Sequence, residues 1–130
     1  MSENRAVIDL RRTAPRPPQV WLGGFAVAAR VFDKCRATQA GANGEYHYNC
    51  PVDRMFFSAS GLTAEEFSAM TASGADDAGA AEWIHREAKA STVRRLLWNV
   101  AATIYPGFLL MVLDDWLHAL RARRAASTAQ

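Results

Sequence analysis

The spacing of hydrophobic residues in the first third of the chain predicts a helix. From about residue 24, hydrophobic side chains recur at intervals of three and four, which is typical of one helical face. The stripe consists of Trp21, Phe25, Ala28, Phe32 and Cys35. Gly41 follows at the position of a C-terminal cap, so we predict a helix over about residues 24–40.

Start and stop signals predict further helices downstream. Pro51 follows Cys50 at a favoured first helical position, and this helix is expected to end near Gly61. Thr63-Ala-Glu-Glu66 is a capping box, which predicts a third helix that stops before Gly74. Three more helices are predicted: one over about residues 77–89, one that begins after Ser91, and one that follows Pro106-Gly107.

The segment between the first two helices has the pattern of a short strand. Asn43-Gly44 is a turn dipeptide, and the next five residues alternate. On an extended chain Tyr46 and Tyr48 face inward, and Glu45, His47 and Asn49 face outward. A lone strand is unstable, so this one pairs with the segment around Val20 or is an extended loop. We therefore predict a mainly α, compact single domain of five or six helices with one short strand or hairpin near 44–49.

Composition favours one domain with unstructured ends. The chain has 130 residues, is half hydrophobic and carries a net charge of +2. We predict a flexible arm over residues 1–16, a single helical domain over 17–121 and a flexible tail over 122–130. Many of the thirteen arginines lie near the two ends. No recognition motif accompanies them, so nucleic-acid binding is not expected.

Cysteine content and the N-terminal residues favour the cytoplasm. The chain has two cysteines, a number that favours free thiols in a reducing compartment. Its first residues are polar and no early apolar run follows, so a signal peptide is not expected. Residues 96–113 contain no charge and are long enough for a marginal membrane span. Asn99, Thr103 and Pro106-Gly107 argue against a span, and favour a buried helix pair or a helix that packs on a second subunit.

The predicted turn and helix start at residues 45–53 concentrate reactive side chains. Glu45 and His47 are side by side on an extended chain, and imidazole suits proton transfer near neutral pH. Cys50 lies at a helix N-terminus, where the dipole stabilises a thiolate, although Asp53 opposes this one turn later. Glu45, His47 and Cys50 are the catalytic candidates. The alternatives are an exposed polar strand face and an inert, buried cysteine.

The end of the first helix supplies candidates for binding. Lys34 and Arg36 lie beside Asp33, and such a cluster can hold an anionic group or form a surface ion-pair ladder. Tyr46 and Asp53 complete the substrate-binding candidates. His47, Cys50 and Asp53, with His85 or His118, lack the spacing of known metal motifs, so no metal is predicted. No cofactor is predicted.

Several motifs resemble a known family. They are Leu22-Gly-Gly-Phe25, Asp33-Lys-Cys-Arg-Ala37, Gly44-Glu-Tyr-His-Tyr-Asn-Cys-Pro-Val-Asp53, Gly61-Leu62, Glu82-Trp83-Ile84 and Trp98-Asn99. Over about residues 17–99 the chain resembles the bacterial domain-of-unknown-function family DUF5069. Ala29 stands where the family pattern has proline, and the apolar segment after Asn99 has no counterpart in that pattern. The resemblance implies a small, mostly helical, cytoplasmic bacterial domain, supports the candidate positions above except His47, and assigns no activity.

Three hypotheses about function follow. The first is a cofactor-independent enzyme or a binding protein for an anionic small molecule, with a pocket between the end of the first helix and the 45–53 turn. The alternative is a non-catalytic interaction module or homodimer that uses the apolar 96–120 region. The third is membrane association through residues 96–113, which is not expected. The expected partners are a small-molecule ligand and a second copy of the chain.

Overall fold

The computed structural model describes residues 8–128 and confirms a mainly α, compact domain. In this part of the chain there are six helices and one two-stranded antiparallel hairpin. The elements are β1 (Trp21–Leu22), β2 (Phe25–Ala26), α1 (Ala28–Gln39), α2 (Pro51–Ser60), α3 (Ala64–Ala72), α4 (Asp77–Glu87), α5 (Thr92–Ile104) and α6 (Pro106–Thr128).

Residues 44–49 form turns and loop rather than the predicted strand. The Tyr46 N–H donates to the Asn43 carbonyl over 2.9 Å, and the Asn43 side-chain amide donates back to the Tyr46 carbonyl over 2.8 Å. Asn49 has a φ of 63°, in the left-handed region. These conformations interrupt an extended chain, so the segment does not pair with the region around Val20.

The hairpin lies instead immediately before α1. Trp21 pairs with Ala26 and Leu22 with Phe25, and the turn between them is Gly23-Gly24. Gly23 has a φ of 63°, and a Cβ placed there would lie 2.7 Å from the Ile84 Cβ. The hairpin turn therefore requires glycine both for its backbone and for its close packing on α4. Because residues 25 and 26 belong to β2, α1 begins at Ala28 rather than near residue 24.

A buried amide attaches the hairpin to α5. The Asn99 Oδ1 accepts from the Ala26 N–H over 2.8 Å, and its Nδ2 donates to the Gly24 carbonyl over 2.9 Å. The neighbouring Trp98 indole donates to the Ala26 carbonyl over 2.9 Å. Polar atoms in the hairpin that the strands leave free are thus satisfied by α5.

Replacing Asn99 with leucine is expected to destabilise the domain by about 1–3 kcal/mol, because it leaves buried backbone groups of Gly24 and Ala26 unpaired. The free energy of unfolding from urea titration, followed by far-UV circular dichroism, measures this loss. Ala101→Ser, at an exposed position two residues later on α5, serves as the control and should change stability by less than about 0.5 kcal/mol. A similar loss in both variants would contradict the role assigned to the amide.

The caps predicted for the later helices are present. Cys50 precedes α2 with Pro51 at its first position, and Gly61 ends it in a left-handed conformation. The Thr63 hydroxyl accepts from the Glu66 N–H, and the Ser91 hydroxyl accepts from the Arg94 N–H. These signals act within four residues, which is why the sequence reveals them.

An aromatic cluster forms the core around α1. Its buried rings meet mainly edge to face, with centroids 5.4–6.3 Å apart, as aromatic quadrupoles favour. The rings belong to Phe25, Phe32, Phe56, Phe57 and Phe67. Helix α1 is buried along most of its length, including the charged side chains of Arg30, Asp33 and Lys34. Buried charges need partners, and those partners come from outside α1.

The N-terminal segment of the described chain contacts the domain. Leu10 is fully buried, and its N–H donates to the Ala42 carbonyl over 2.8 Å. Arg16 forms ion pairs with Asp33 and Asp77, each at 2.9 Å. At the other end, α6 continues to Thr128 through most of the predicted tail. Residues 1–7 of the predicted arm and residues 129–130 of the tail lie outside the described residues.

Helices α5 and α6 contain the uncharged segment 96–113. Among the described residues, no single helix is both long and apolar enough to cross a bilayer. The pair Thr92–Ile104 and Gly107–Ser127 meets the length and composition test only together, and it is bent by 55°.

Candidate functional site

A cleft of about 320 Å³ opens between α1, the loop after Gly44 and α6. Most of its lining side chains carry a titratable group. The lining consists of Arg30, Lys34, Glu45, Tyr46, His47, Cys50, Met111, Asp114, Asp115, His118 and Arg121. The cleft adjoins α1 and the 45–53 segment, and α6 forms its third wall.

Two buried cations form the floor of the cleft. Arg30 and Lys34 lie one turn apart on α1 and are 4% and 3% exposed. The Arg30 guanidinium donates to both oxygens of Asp115 on α6, at 2.5 and 3.1 Å. Lys34 is paired with Asp53 on α2, with 2.7 Å between Nζ and Oδ1. Each cation thus holds a carboxylate from a different helix.

The Lys34 ammonium also contacts the only cysteine in the cleft. Its Nζ lies 3.2 Å from the Cys50 Sγ. Asp53 is fully buried, and its Oδ2 accepts from the Asn49 N–H over 2.8 Å. Within the described residues, the Asp53 Oδ1 has no aligned hydrogen-bond donor, so the charge of Lys34 is what neutralises it. An ammonium has three N–H groups, and Cys50 and Asp53 are the described partners of Lys34.

A phenol and an imidazole extend this network along α6. The Tyr46 hydroxyl donates to the Asp115 Oδ1 over 2.9 Å, and its ring meets the His118 ring edge to face at 5.1 Å. Burial raises the pKa of Tyr46, and the hydrogen bond from its hydroxyl to the Asp115 carboxylate raises this pKa further. Tyr46 is therefore a neutral hydrogen-bond donor at physiological pH.

The orientation of His118 follows from its neighbours. Its Nε2 lies 3.0 Å from the Leu10 carbonyl, which can only accept, so Nε2 carries a proton. The other nitrogen, Nδ1, lies 3.7 Å from the Glu45 Oε2. The Glu45 side chain is 85% exposed, and His47 is also exposed. These two residues stand at the mouth of the cleft, above the charged floor.

The structure brings together five of the eight residues that the sequence proposed. Lys34, Glu45, Tyr46, His47 and Cys50 all line the cleft. A sixth residue, Asp53, lies behind the lining and contacts Lys34. The 45–53 segment and α1 therefore meet at this cleft.

The other two proposed residues lie elsewhere. The Asp33 carboxylate accepts from the Arg16 guanidinium and backbone N–H, on a different side of α1. The Arg36 guanidinium lies over the Phe32 ring, 5.0 Å from its centroid. Helical periodicity explains this, because Asp33 and Arg36 lie about 100° and about 200° around the helix from Lys34. The predicted pairing of Asp33 with a neighbour on its own helix is replaced by a pair with the N-terminal segment.

Several lining residues were not among the proposed site residues, although His118 was considered as a metal ligand. One is Arg30, which the four-residue spacing from Lys34 could have revealed. The others lie on α6 and become neighbours of α1 only through the fold. They are Met111, Asp114, Asp115, His118 and Arg121.

The two cysteines lie in contrasting environments. Cys35 is 1% exposed within the aromatic core, and burial raises the pKa of its thiol. Cys50 is half-buried and lines the cleft. In the described part of the chain, both are free thiols, and no three His, Cys, Asp or Glu side chains are arranged to hold a metal ion.

Comparison with known proteins agrees with the resemblance seen in the motifs. No curated protein matches the chain. The family model named "Domain of unknown function (DUF5069)" matches residues 12–103. This range includes Arg30, Lys34 and the 45–53 segment, whereas α6 follows it. Because the match covers most of the chain, the protein belongs to the DUF5069 family.

Proposed function

We propose that this protein binds a small anionic molecule in the cleft between α1, the 45–50 loop and α6. The observation that carries the proposal is the pair of buried cations, Arg30 and Lys34, on the floor of an open cleft. A volume of about 320 Å³ is at the lower end of ligand pockets, which favours a metabolite-sized ligand.

Stability alone does not explain why two buried cations form the floor of the cleft. Removing a charge from water has a large desolvation penalty, and well-packed apolar residues often stabilise a protein more than a buried ion pair does. Here two buried ion pairs, Arg30–Asp115 and Lys34–Asp53, occur one helical turn apart at the same cleft. We infer that this pair of buried ion pairs serves ligand binding and not stability alone.

Unused donors on the floor suit an anionic group. Lys34 has one N–H beyond its two partners, and Arg30 has five N–H groups, of which its two contacts with Asp115 use two. At the mouth, Glu45 and Asp114 are acceptors. A matching ligand carries a carboxylate or phosphate at one end and a hydroxyl or amine at the other. This places 2-hydroxy acids, 2-amino acids and small phosphate esters in the substrate class.

The same cleft has groups for chemistry on a bound ligand. Glu45 and His47 stand at the mouth, where a carboxylate and an imidazole can move a proton. Cys50 is the thiol beside the proposed anion site, because its sulfur contacts Lys34. We propose proton transfer by Glu45 or His47 as the catalytic step, with Cys50 as the nucleophile candidate.

Binding is tested with inorganic phosphate, malate and serine as probes. At least one probe is expected to raise the thermal unfolding midpoint and to slow alkylation of Cys50 by iodoacetamide several-fold, because a ligand on Lys34 covers the thiol. Cys35 should stay unlabelled in the native protein, since it is buried and its pKa is raised. Mass spectrometry of the labelled peptides distinguishes the two cysteines.

The chain has only two lysines, which gives a matched control. The variant Lys34→Met/Asp53→Asn removes both charges of the buried pair and is expected to abolish both probe effects. Lys89→Met removes an exposed lysine and should leave them unchanged. If no probe slows Cys50 alkylation, or if the double variant responds as the wild type does, the proposal fails.

A further inference from the structure

The His118 ring, on the α6 wall of the cleft, is held from two sides. Its Nε2 lies 3.0 Å from the Leu10 carbonyl oxygen, and its ring meets the Tyr46 ring edge to face at 5.1 Å. The Tyr46 hydroxyl is in turn hydrogen-bonded to Asp115. The orientation of the imidazole is therefore set by neighbours that have partners of their own.

The Leu10 carbonyl is itself held in place by the turn after α1. Leu10 is fully buried, and its N–H donates to the Ala42 carbonyl over 2.8 Å. Gly44 has a φ of 55°, and a Cβ placed there would lie 2.9 Å from the Leu10 carbonyl oxygen. Because the turn packs directly against this carbonyl, the N-terminal segment gives His118 Nε2 a fixed acceptor.

This contact decides which nitrogen of His118 is available to a ligand. In a neutral imidazole one nitrogen carries the proton and the other a lone pair, and the hydrogen bond at one nitrogen fixes the state of the other. Since Nε2 donates to a carbonyl, Nδ1 has the lone pair. No described residue donates to Nδ1, because the Glu45 Oε2, at 3.7 Å, is also an acceptor and is beyond hydrogen-bond range.

We propose that the His118 Nδ1 accepts a hydrogen bond from a hydroxyl or ammonium group of the bound anion, and thereby selects the ligand. This inference rests on the proposed function and narrows its ligand class to anions that carry such a donor, such as 2-hydroxy acids and 2-amino acids. Arg30 and Lys34 on α1 supply donors for the anionic group, and His118 supplies an acceptor from α6.

His118 is better suited to this selection than the acceptors at the mouth. Its side chain is 15% exposed, whereas that of Glu45 is 85% exposed and His47 is also exposed. Water satisfies an exposed acceptor whether or not a ligand is bound. A shielded acceptor that faces a ligand without a donor loses its hydrogen bond, and this penalty excludes such a ligand.

Pairs of acids that differ by one donor test the proposal. Each enantiomer of malate is compared with succinate, which lacks the hydroxyl, and serine with 3-hydroxypropionate, which lacks the amino group. Dissociation constants follow from the concentration of each acid that protects Cys50 from iodoacetamide. In at least one pair, the acid with the donor should bind about tenfold more tightly, as expected for one hydrogen bond.

The outcomes separate this inference from the proposed function. Equal dissociation constants within every pair, or protection by phosphate alone, would overturn the role of His118 and leave the anion site intact. If phosphate and all of the acids fail to protect Cys50, the anion site is refuted and this inference with it.

Substitutions of His118 separate its two nitrogens. Glutamine keeps an amide N–H for the Leu10 carbonyl but has no acceptor at the position of Nδ1, so His118→Gln should abolish the tenfold preference and leave the affinity for the donor-free acid unchanged. Asparagine keeps an oxygen near Nδ1 and should retain the preference. His85→Gln, at an exposed position on α4, is the control and should behave as the wild type. A preference that survives in His118→Gln would overturn the proposal.

Nuclear magnetic resonance of the wild type tests the same point even if neither His118 variant folds. At about pH 8, above the ordinary histidine pKa, the ¹⁵N chemical shift of the His118 Nδ1 should be that of an unprotonated nitrogen. It should change when the preferred acid is added and stay constant when its donor-free analogue is added. A protonated Nδ1 in the complex, or the same response to both acids, would overturn the proposal.

Discussion

Replacing Asp53 with asparagine is expected to lower the free energy of unfolding by about 3–5 kcal/mol, the largest loss among the substitutions considered. Asp53 is fully buried, and it neutralises Lys34, which is 3% exposed. Without the carboxylate, the Lys34 ammonium must either be deprotonated or be hydrated by water that enters the base of the cleft. Both changes cost free energy. Asparagine has the size of aspartate and can still accept from the Asn49 N–H. The substitution therefore isolates the effect of the charge.

Urea titration followed by tryptophan fluorescence measures the loss. Glu65→Gln, which removes an exposed carboxylate near the start of α3, should change stability by less than about 0.5 kcal/mol. In the variant Lys34→Met/Asp53→Asn, no uncompensated charge remains, so most of the lost stability should return. If the double variant is as unstable as Asp53→Asn, the destabilisation arises from packing and not from charge.

The parts of the fold that follow from local signals were predicted from the sequence. The starts of α2, α3 and α5 depend on Pro51, Thr63 and Ser91, each of which acts within its own first turn. The position of the hairpin was not predictable in this way. Gly23-Gly24 form its turn, and Asn99, more than seventy residues later, bonds the Gly24 carbonyl and the Ala26 N–H. The residues around position 24 give no sequence signal for such a distant contact.

The candidate site shows the same division. The 45–53 segment was recognised by its density of reactive groups, and Lys34 by its neighbours in the chain. Asp115 was missed because it reaches Arg30 across 85 residues. Asp33 was included because it adjoins Lys34, yet Arg16 binds it on a different side of the helix. Sequence proximity identifies a cluster of charges, and only the packing of the helices decides which of them share a cleft.

Replacing Arg30 with methionine is expected to release α6 while the rest of the domain stays folded. The substitution leaves Asp115, which is 6% exposed, with only the Tyr46 hydroxyl as a described partner. The penalty of an uncompensated buried carboxylate is about 3–5 kcal/mol if α6 remains docked. Opening α6 hydrates the carboxylate instead, and little apolar surface is lost, because the leucines of α6 already face outward. Local opening is therefore the less costly response.

Hydrogen exchange followed by mass spectrometry distinguishes local opening from global destabilisation. In Arg30→Met, exchange in α6 should accelerate about 100-fold, which corresponds to a penalty of about 3 kcal/mol, while peptides from α1 to α4 keep their protection. Arg36→Met, on the same helix but over Phe32, is the matched control and should leave α6 unchanged. Equal acceleration in every helix would mean that Arg30 stabilises the whole core. Selective opening would mean instead that the other contacts of α6 do not hold it, and with it one wall of the cleft, without the Arg30–Asp115 ion pair.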